Sequence, residues 1–279
     1  MIMEQHRNRA PEEIRRPRRR RRKRKKNPIP LILTILVTGF ALWKLSSEVV
    51  DKIESKKYMD DLAAQVVQEE TMPTEAAEPE AEIQETEPIE FAPISVDFSA
   101  LWRTSPDVSG WLYCPGTSIN YPVVQTDNNQ YYMHRLPNGE ESAGGSLFVD
   151  CTNAWDFSDA NSVIYGHDMK DGTMFGYLHN FDSQSYYEDH PVFYLLTPGR
   201  NYRMDIICTA VVPSDSWIYQ MQMEEPALQS WLNRVEDASM IEPITPMNRE
   251  AGQYLTLSTC SYEYENARFV VIGSLKKIY

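Results

Sequence analysis

Cys260 ends the run Thr256-Leu257-Ser258-Thr259-Cys260, and Arg268 follows eight residues later. A thiol beside a guanidinium suits a nucleophile whose reaction builds negative charge. Two elements must carry that pair. Tyr254, Leu255 and Leu257 surround the approach to the cysteine, and Phe269, Val270, Val271 and Ile272 follow the arginine. Alternation and β-branching of this kind read as strands. The polar segment from Ser261 to Ala267 reads as the loop between them. Antiparallel pairing brings both side chains to one spot.

A cysteine nucleophile needs a base. The histidines are His6, His134, His167, His179 and His190, and His6 lies in a basic tail. His167 follows the apolar run Val163-Ile164-Tyr165 and Gly166, so it projects from a strand end. Asp168 to Gly172 reads as a turn, and Thr173-Met174-Phe175 as the start of a helix. A reactive side chain at a strand end beside a loop is a common catalytic placement, and Cys, His and Arg form a nucleophile, base and anion stabiliser.

These segments carry a family resemblance. Tyr165-Gly166-His167-Asp168-Met169-Lys170-Asp171-Gly172-Thr173-Met174-Phe175 resembles the histidine segment of class B sortases. Thr256 to Cys260 with Arg268 resembles their cysteine and arginine segments. The likeness extends to Gly110-Trp111-Leu112, Tyr121-Pro122-Val123-Val124-Gln125 and Gly145 to Asp150, and covers about Val96 to the C-terminus. It implies a sortase β-barrel and thioester chemistry. Cys260 attacks the carbonyl of a threonine in the C-terminal sorting signal of another exported protein. His167 gives a proton to the leaving amine and takes one from the incoming amine, while Arg268 holds the carbonyl or oxyanion. An amine of a peptidoglycan precursor is the implied acceptor. A pilin lysine is an alternative acceptor, and water would make the protein an endopeptidase. A catalytically silent wall or adhesion module is the reading from a different class. The resemblance also puts Asn128, Tyr132, Trp217, Ile218, Ser258 and Thr259 near the sorting signal. Some class B enzymes have an acid directly after the cysteine, where this chain has Ser261.

The net charge of −13 hides two opposite regions. Residues 1–26 hold 13 of the 27 Lys and Arg and three acids, a balance of +10 that leaves −23 for the rest. An uncharged, mostly apolar stretch of 17 residues follows, from 27 to 43, the short end for a membrane-spanning helix. Basic residues directly before it predict a cytoplasmic N-terminus and have a role at anionic headgroups, which displaces a nucleic-acid reading. No good small-x-small site follows, which favours an uncleaved anchor over a cleaved signal peptide. The expected layout is a basic cytoplasmic tail over 1–27, a single-pass signal-anchor over 28–45, an acidic stalk over 46–93 and an extracellular catalytic domain over 94–279. Within the stalk, 46–70 has the apolar spacing of a short amphipathic helix. Residues 71–93, rich in Glu, Pro, Thr and Ala, lack the large side chains needed to offset ordering entropy.

The domain reads as mainly β. Strands are expected over 110–114, 119–125, 145–150, 162–167, 191–197, 201–212, 253–260 and 268–277, with a hairpin turn at Pro198-Gly199-Arg200-Asn201. Eight short strands suggest a closed barrel or sandwich. Asp97 caps a helix holding Phe98, Leu101 and Trp102. Helical insertions are expected over 173–181 and 224–236, the second with Leu228, Trp231, Leu232 and Val235 at helical spacing. Of the four cysteines, Cys114 and Cys208 lie in apolar contexts and read as small buried hydrophobes rather than disulfide partners. No spacing matches a zinc or calcium site, a nucleotide loop or a redox pair, so neither metal nor organic cofactor is expected.

Overall fold

The computed structural model of the chain describes residues 29–70 and 90–279. The basic tail expected over 1–27 lies outside these residues, as does most of the acidic segment. Two units emerge, residues 1–45 and 46–279.

The described part of the first unit is the beginning of helix α1 (Ile29–Val66). Leu33, Leu36, Val37, Phe40, Leu42, Trp43 and Leu45 are all exposed on it. Among the described residues no helix is long and apolar enough to cross a membrane.

In the second unit, eight strands close into a barrel. They are β3 (Val108–Tyr113), β4 (Asn120–Val124), β5 (Leu147–Val149), β6 (Asn161–Tyr165), β7 (Val192–Leu196), β8 (Asn201–Pro213), β9 (Tyr254–Cys260) and β10 (Ala267–Ile278). Their order is β10-β8-β7-β3-β4-β5-β6-β9, with β9 returning to β10. The β4–β5 and β6–β9 pairs are parallel and the others antiparallel. All eight expected strands are present, and the hairpin turn is closed by Thr197 N–H to the Arg200 carbonyl at 3.0 Å.

Both faces of β9 and β10 are covered, which explains their nearly continuous apolar sequences. Leu255, Leu257, Phe269 and Val271 point into the barrel, against Leu112, Ile164 and Phe193. Tyr254, Val270 and Ile272 point outward, under Leu228, Trp231, Leu232 and Val235 of helix α4 (Ala227–Ala238). That helix starts after Pro226, slightly later than its expected 224–236 span. Asp97 caps α2 (Phe98–Leu101), its carboxylate accepting from Ala100 N–H at 2.9 Å.

Two expectations change. No α-helix covers 173–181. Gly172 N–H and Gly176 N–H close tight turns onto Met169 and Thr173, and Met174 between them has φ of 52°, which a right-handed helix excludes. Asp168 bridges back to Met174 instead. Helical structure resumes as a 3-10 turn, Leu178–Asp182, and α3 (Gln184–Asp189). The second change concerns the stalk over 46–93. Residues 46–66 continue α1, and Met59, Leu62 and Val66 are buried on the domain. Directly after it β1 (Val67–Glu69) pairs antiparallel with β2 (Ile94–Val96). Glu70 N–H also donates to the Pro93 carbonyl at 3.0 Å, so both ends of the acidic segment are fixed at one place on the domain.

Candidate active site

Cys260 and Arg268 are direct partners in the β9–β10 register. Ser261 N–H donates to the Ala267 carbonyl, which makes the next pair outward hydrogen-bonded. Antiparallel pairs alternate, so Cys260 and Arg268 form a non-hydrogen-bonded pair, the kind whose side chains lie closer. The thiol and guanidinium therefore share one face through backbone register alone.

The histidine arrives from the other flank of β9. β6 runs parallel to it, with Tyr165 beside Ser258. Gly166 N–H donates to the Ser258 carbonyl at 3.1 Å, and the Thr259 hydroxyl donates to the Gly166 carbonyl at 2.8 Å. His167 leaves the strand one residue later, beside the cysteine. Gly166 is required here by close approach: a Cβ would sit 2.6 Å from Cδ2 of Phe175, which packs over the strand end. His167, Cys260 and Arg268 are each half-buried and line one open cleft of about 310 Å³.

His167 Nε2 lies 2.8 Å from the Met133 carbonyl. A carbonyl only accepts, so Nε2 carries a proton there and Nδ1 is the nitrogen that can gain or lose one. The exposed His134 ring stacks on His167 with centroids 5.5 Å apart. Burial pushes the Tyr165 phenol well above its usual range, and Asp150 adds to this while Arg268 opposes it. Burial also raises Tyr219, against its hydrogen bond to Ser258 and the nearby Arg268 charge. Both phenols thus stay neutral near the guanidinium charge.

The remaining candidates divide. Ser258 and Thr259 line the cleft. Asn128 does not; it is exposed and its Oδ1 accepts from the N–H groups of Gln130 and Tyr131. Tyr132 is buried with its hydroxyl donating to Asp107 at 2.7 Å. Trp217 lies under the Arg234 guanidinium, 3.9 Å from the ring centroid, and Ile218 is buried beneath α4. In each case a sequence neighbour reaches the cleft instead: Asn129, Met133 and Tyr219. Asp150, itself buried, holds two of the lining groups, accepting from Asn129 Nδ2 at 2.8 Å and from the Tyr165 hydroxyl at 3.2 Å. Tyr219 and Ser258 share a hydroxyl hydrogen bond of 2.9 Å. After the cysteine, the Ser261 hydroxyl donates to the Glu263 carboxylate. Among the described residues no group of three or more His, Cys, Asp or Glu is placed to hold a metal ion.

Known proteins of one family are similar to this chain. The Sortase domain family matches residues 112–276. Sortase B of Listeria monocytogenes is 28% identical over 249 residues, covering 87% of this chain and 95% of that protein. Sortase B of Staphylococcus aureus is 28% identical over 184 residues, covering 65% of this chain and 75% of that protein. Among solved structures, sortase B from B. anthracis in complex with AAEK1 superimposes with a TM-score of 0.65 at 26% identity, over 82% of this chain and 99% of that one. The Staphylococcus aureus sortase B–substrate complex gives a TM-score of 0.61 at 28% identity, over 65% of this chain and 85% of that one. A family match spanning most of a closed eight-stranded barrel, with sortase B proteins as relatives and structural neighbours, identifies the chain as a member of the sortase family of cysteine transpeptidases, of the B class.

Proposed function

We propose that Cys260 is the nucleophile of a transpeptidation in which His167 moves the protons and Arg268 stabilises the developing anion. The supporting observation is the convergence of the three side chains on one cleft, with Arg268 paired across from Cys260. The Cys260 thiolate attacks the carbonyl carbon of a threonine in a sorting signal, forming a C–S bond and a tetrahedral oxyanion. Arg268 donates to that oxygen. The C–N bond then breaks, and the leaving amine takes a proton from His167 Nδ1. The incoming amine returns a proton to the same nitrogen as it attacks the thioester, and the thiolate leaves. Ser258 and Thr259, beside the nucleophile, contact the peptide.

The substrate is an exported protein with a C-terminal sorting motif, and the acceptor is an amine of a peptidoglycan precursor. The matched Staphylococcus aureus sortase B was solved as a substrate complex, and another matched sortase B was solved in complex with triglycine. The exposed apolar side chains between Leu33 and Leu45, after a strongly basic segment, support attachment of residues 28–45 to the membrane with the N-terminus in the cytoplasm. The test is incubation with peptides of the form x-P-x-T-x, with and without an amine, reading product masses. The expected result is a thioester to Cys260 and an amide product with the amine. A Cys260→Ala protein that still cleaves refutes the nucleophile, and product from water alone makes the enzyme a hydrolase. Release of the full-length chain into the soluble fraction of cells refutes the anchor.

A further inference from the structure

A second imidazole touches the same machinery from behind. His179, in the 3-10 turn after the His167 loop, places Nε2 2.9 Å from the Cys260 carbonyl. The same nitrogen lies 3.8 Å from Asp168 Oδ2, and Asp168 directly follows His167. The imidazole also packs on Phe269, directly after Arg268, with ring centroids 4.9 Å apart. One side chain thus meets the nucleophile's own main chain and the immediate neighbours of the other two groups.

The strand ladder explains why this contact exists. In a non-hydrogen-bonded pair the backbone carbonyl of Cys260 faces away from β10, toward the β6 side. A continued β6 would supply a donor from residue 168. The ladder instead ends at Gly166 N–H to the Ser258 carbonyl, because Asp168 is drawn into its bridge with Met174. The Cys260 carbonyl would be left without a strand partner, and the His179 Nε2–H takes the place of the missing ladder bond. The carbonyl only accepts, so Nε2 is the protonated nitrogen; at 3.8 Å the Asp168 carboxylate is beyond hydrogen-bond range and acts as a nearby charge.

We propose that His179 is a positioning residue: its hydrogen bond to the Cys260 carbonyl, with its contacts to Asp168 and Phe269, sets the placement of the thiol relative to His167 and Arg268. This rests on Cys260 being the nucleophile. The role is one of geometry at the reacting centre, so its loss appears in kcat rather than KM, since no His179 atom lines the cleft.

The experiment compares His179→Leu, which removes the donor but keeps apolar bulk against Phe269, with His179→Gln, whose amide nitrogen can occupy the position of Nε2. Steady-state cleavage of a sorting peptide and thermal unfolding are measured for both, beside Cys260→Ala. The leucine protein is expected to lose about tenfold or more in kcat with KM within about twofold, and the glutamine protein to stay within about threefold of wild type in kcat. A leucine protein with wild-type kcat overturns the proposal. So does a glutamine protein as slow as the leucine one, or a loss confined to KM. Should the leucine protein fail to fold, His179→Asn, whose shorter amide falls short of the carbonyl, is read in the same way. Activity in Cys260→Ala refutes the nucleophile itself, whereas an inactive Cys260→Ala beside an unaffected His179→Leu refutes only the positioning role.

Discussion

Replacing Gly145 by alanine tests how His167 is held. Gly145 has φ of 58°, in the left-handed region, and a Cβ there would lie 2.7 Å from the Tyr132 carbonyl and overlap that of Met133. Neither carbonyl is free to retreat. Tyr132 accepts from Ser146 N–H at 3.0 Å, and Met133 accepts from His167 Nε2 at 2.8 Å. The left-handed conformation costs alanine about 1 kcal/mol. Displacing the carbonyls weakens two hydrogen bonds worth about 1 kcal/mol each. Together these give about 3 kcal/mol of lost stability, or a fall in Tm of roughly 6–12 °C for a domain of this size. A shift of the imidazole by about 1 Å lowers kcat by about 100-fold. Gly199→Ala is the control, since no atom lies within 4 Å of its added Cβ. Peptide transpeptidation and calorimetry on both proteins check the argument. Wild-type kcat and unchanged Tm in Gly145→Ala would refute the claim that the Met133 carbonyl holds the histidine.

Arg268→Lys keeps the charge but loses the planar fork, and kcat is expected to fall about 100-fold in a single-turnover acylation assay. Asp150→Ala removes the acceptor shared by Asn129 and Tyr165, so KM for the sorting peptide is expected to rise about three- to tenfold with the barrel intact by circular dichroism. Burial pushes the Cys114 and Cys208 thiols from an ordinary 9.0 up to about 12. Iodoacetamide at pH 8 should therefore leave both unmodified in the native protein, as peptide mass mapping will show. Their folded values lie above the unfolded ones, so the stability they contribute is complete below about pH 9 and declines as pH rises toward 12. Urea titrations at pH 7, 9 and 10.5 should give falling midpoints, and a rising midpoint would contradict this sign.

The barrel is legible in the sequence because strand patterning is local. β8, β9 and β10 are recognisable from β-branched and aromatic runs alone, and the cross-strand meeting of Cys260 with Arg268 follows from one short loop. The helical insertion expected from 173 begins only at Leu178, as a 3-10 turn, because the positive φ of Met174 interrupts the chain before it, which no periodicity encodes. In three places the residue that reaches the cleft stands one position from the expected one. In Trp217–Tyr219 the 3-10 turn sends Ile218 into the core and Tyr219 to the cleft, and that phase depends on where α4 packs. The same holds for Asn128 against Asn129 and Tyr132 against Met133. For residues 46–66 the amphipathic spacing is visible, whereas the docking of Met59 and Leu62 is a tertiary fact. His179 stands among the histidines, but its approach to Cys260 spans 81 positions of chain.

Closure of the barrel limits how a peptide can be gripped. β9, which carries Cys260, has β6 on one side and β10 on the other, so it offers no row of unpaired amides to a ligand. An extended guest therefore cannot join the sheet beside β9 and gain the sequence-blind backbone bonding that edge-strand receptors use. Its main chain must be met by individual side chains and loop amides. Discrimination is thereby concentrated in a few replaceable groups, and the motif such a cleft can read is as short as the cleft itself.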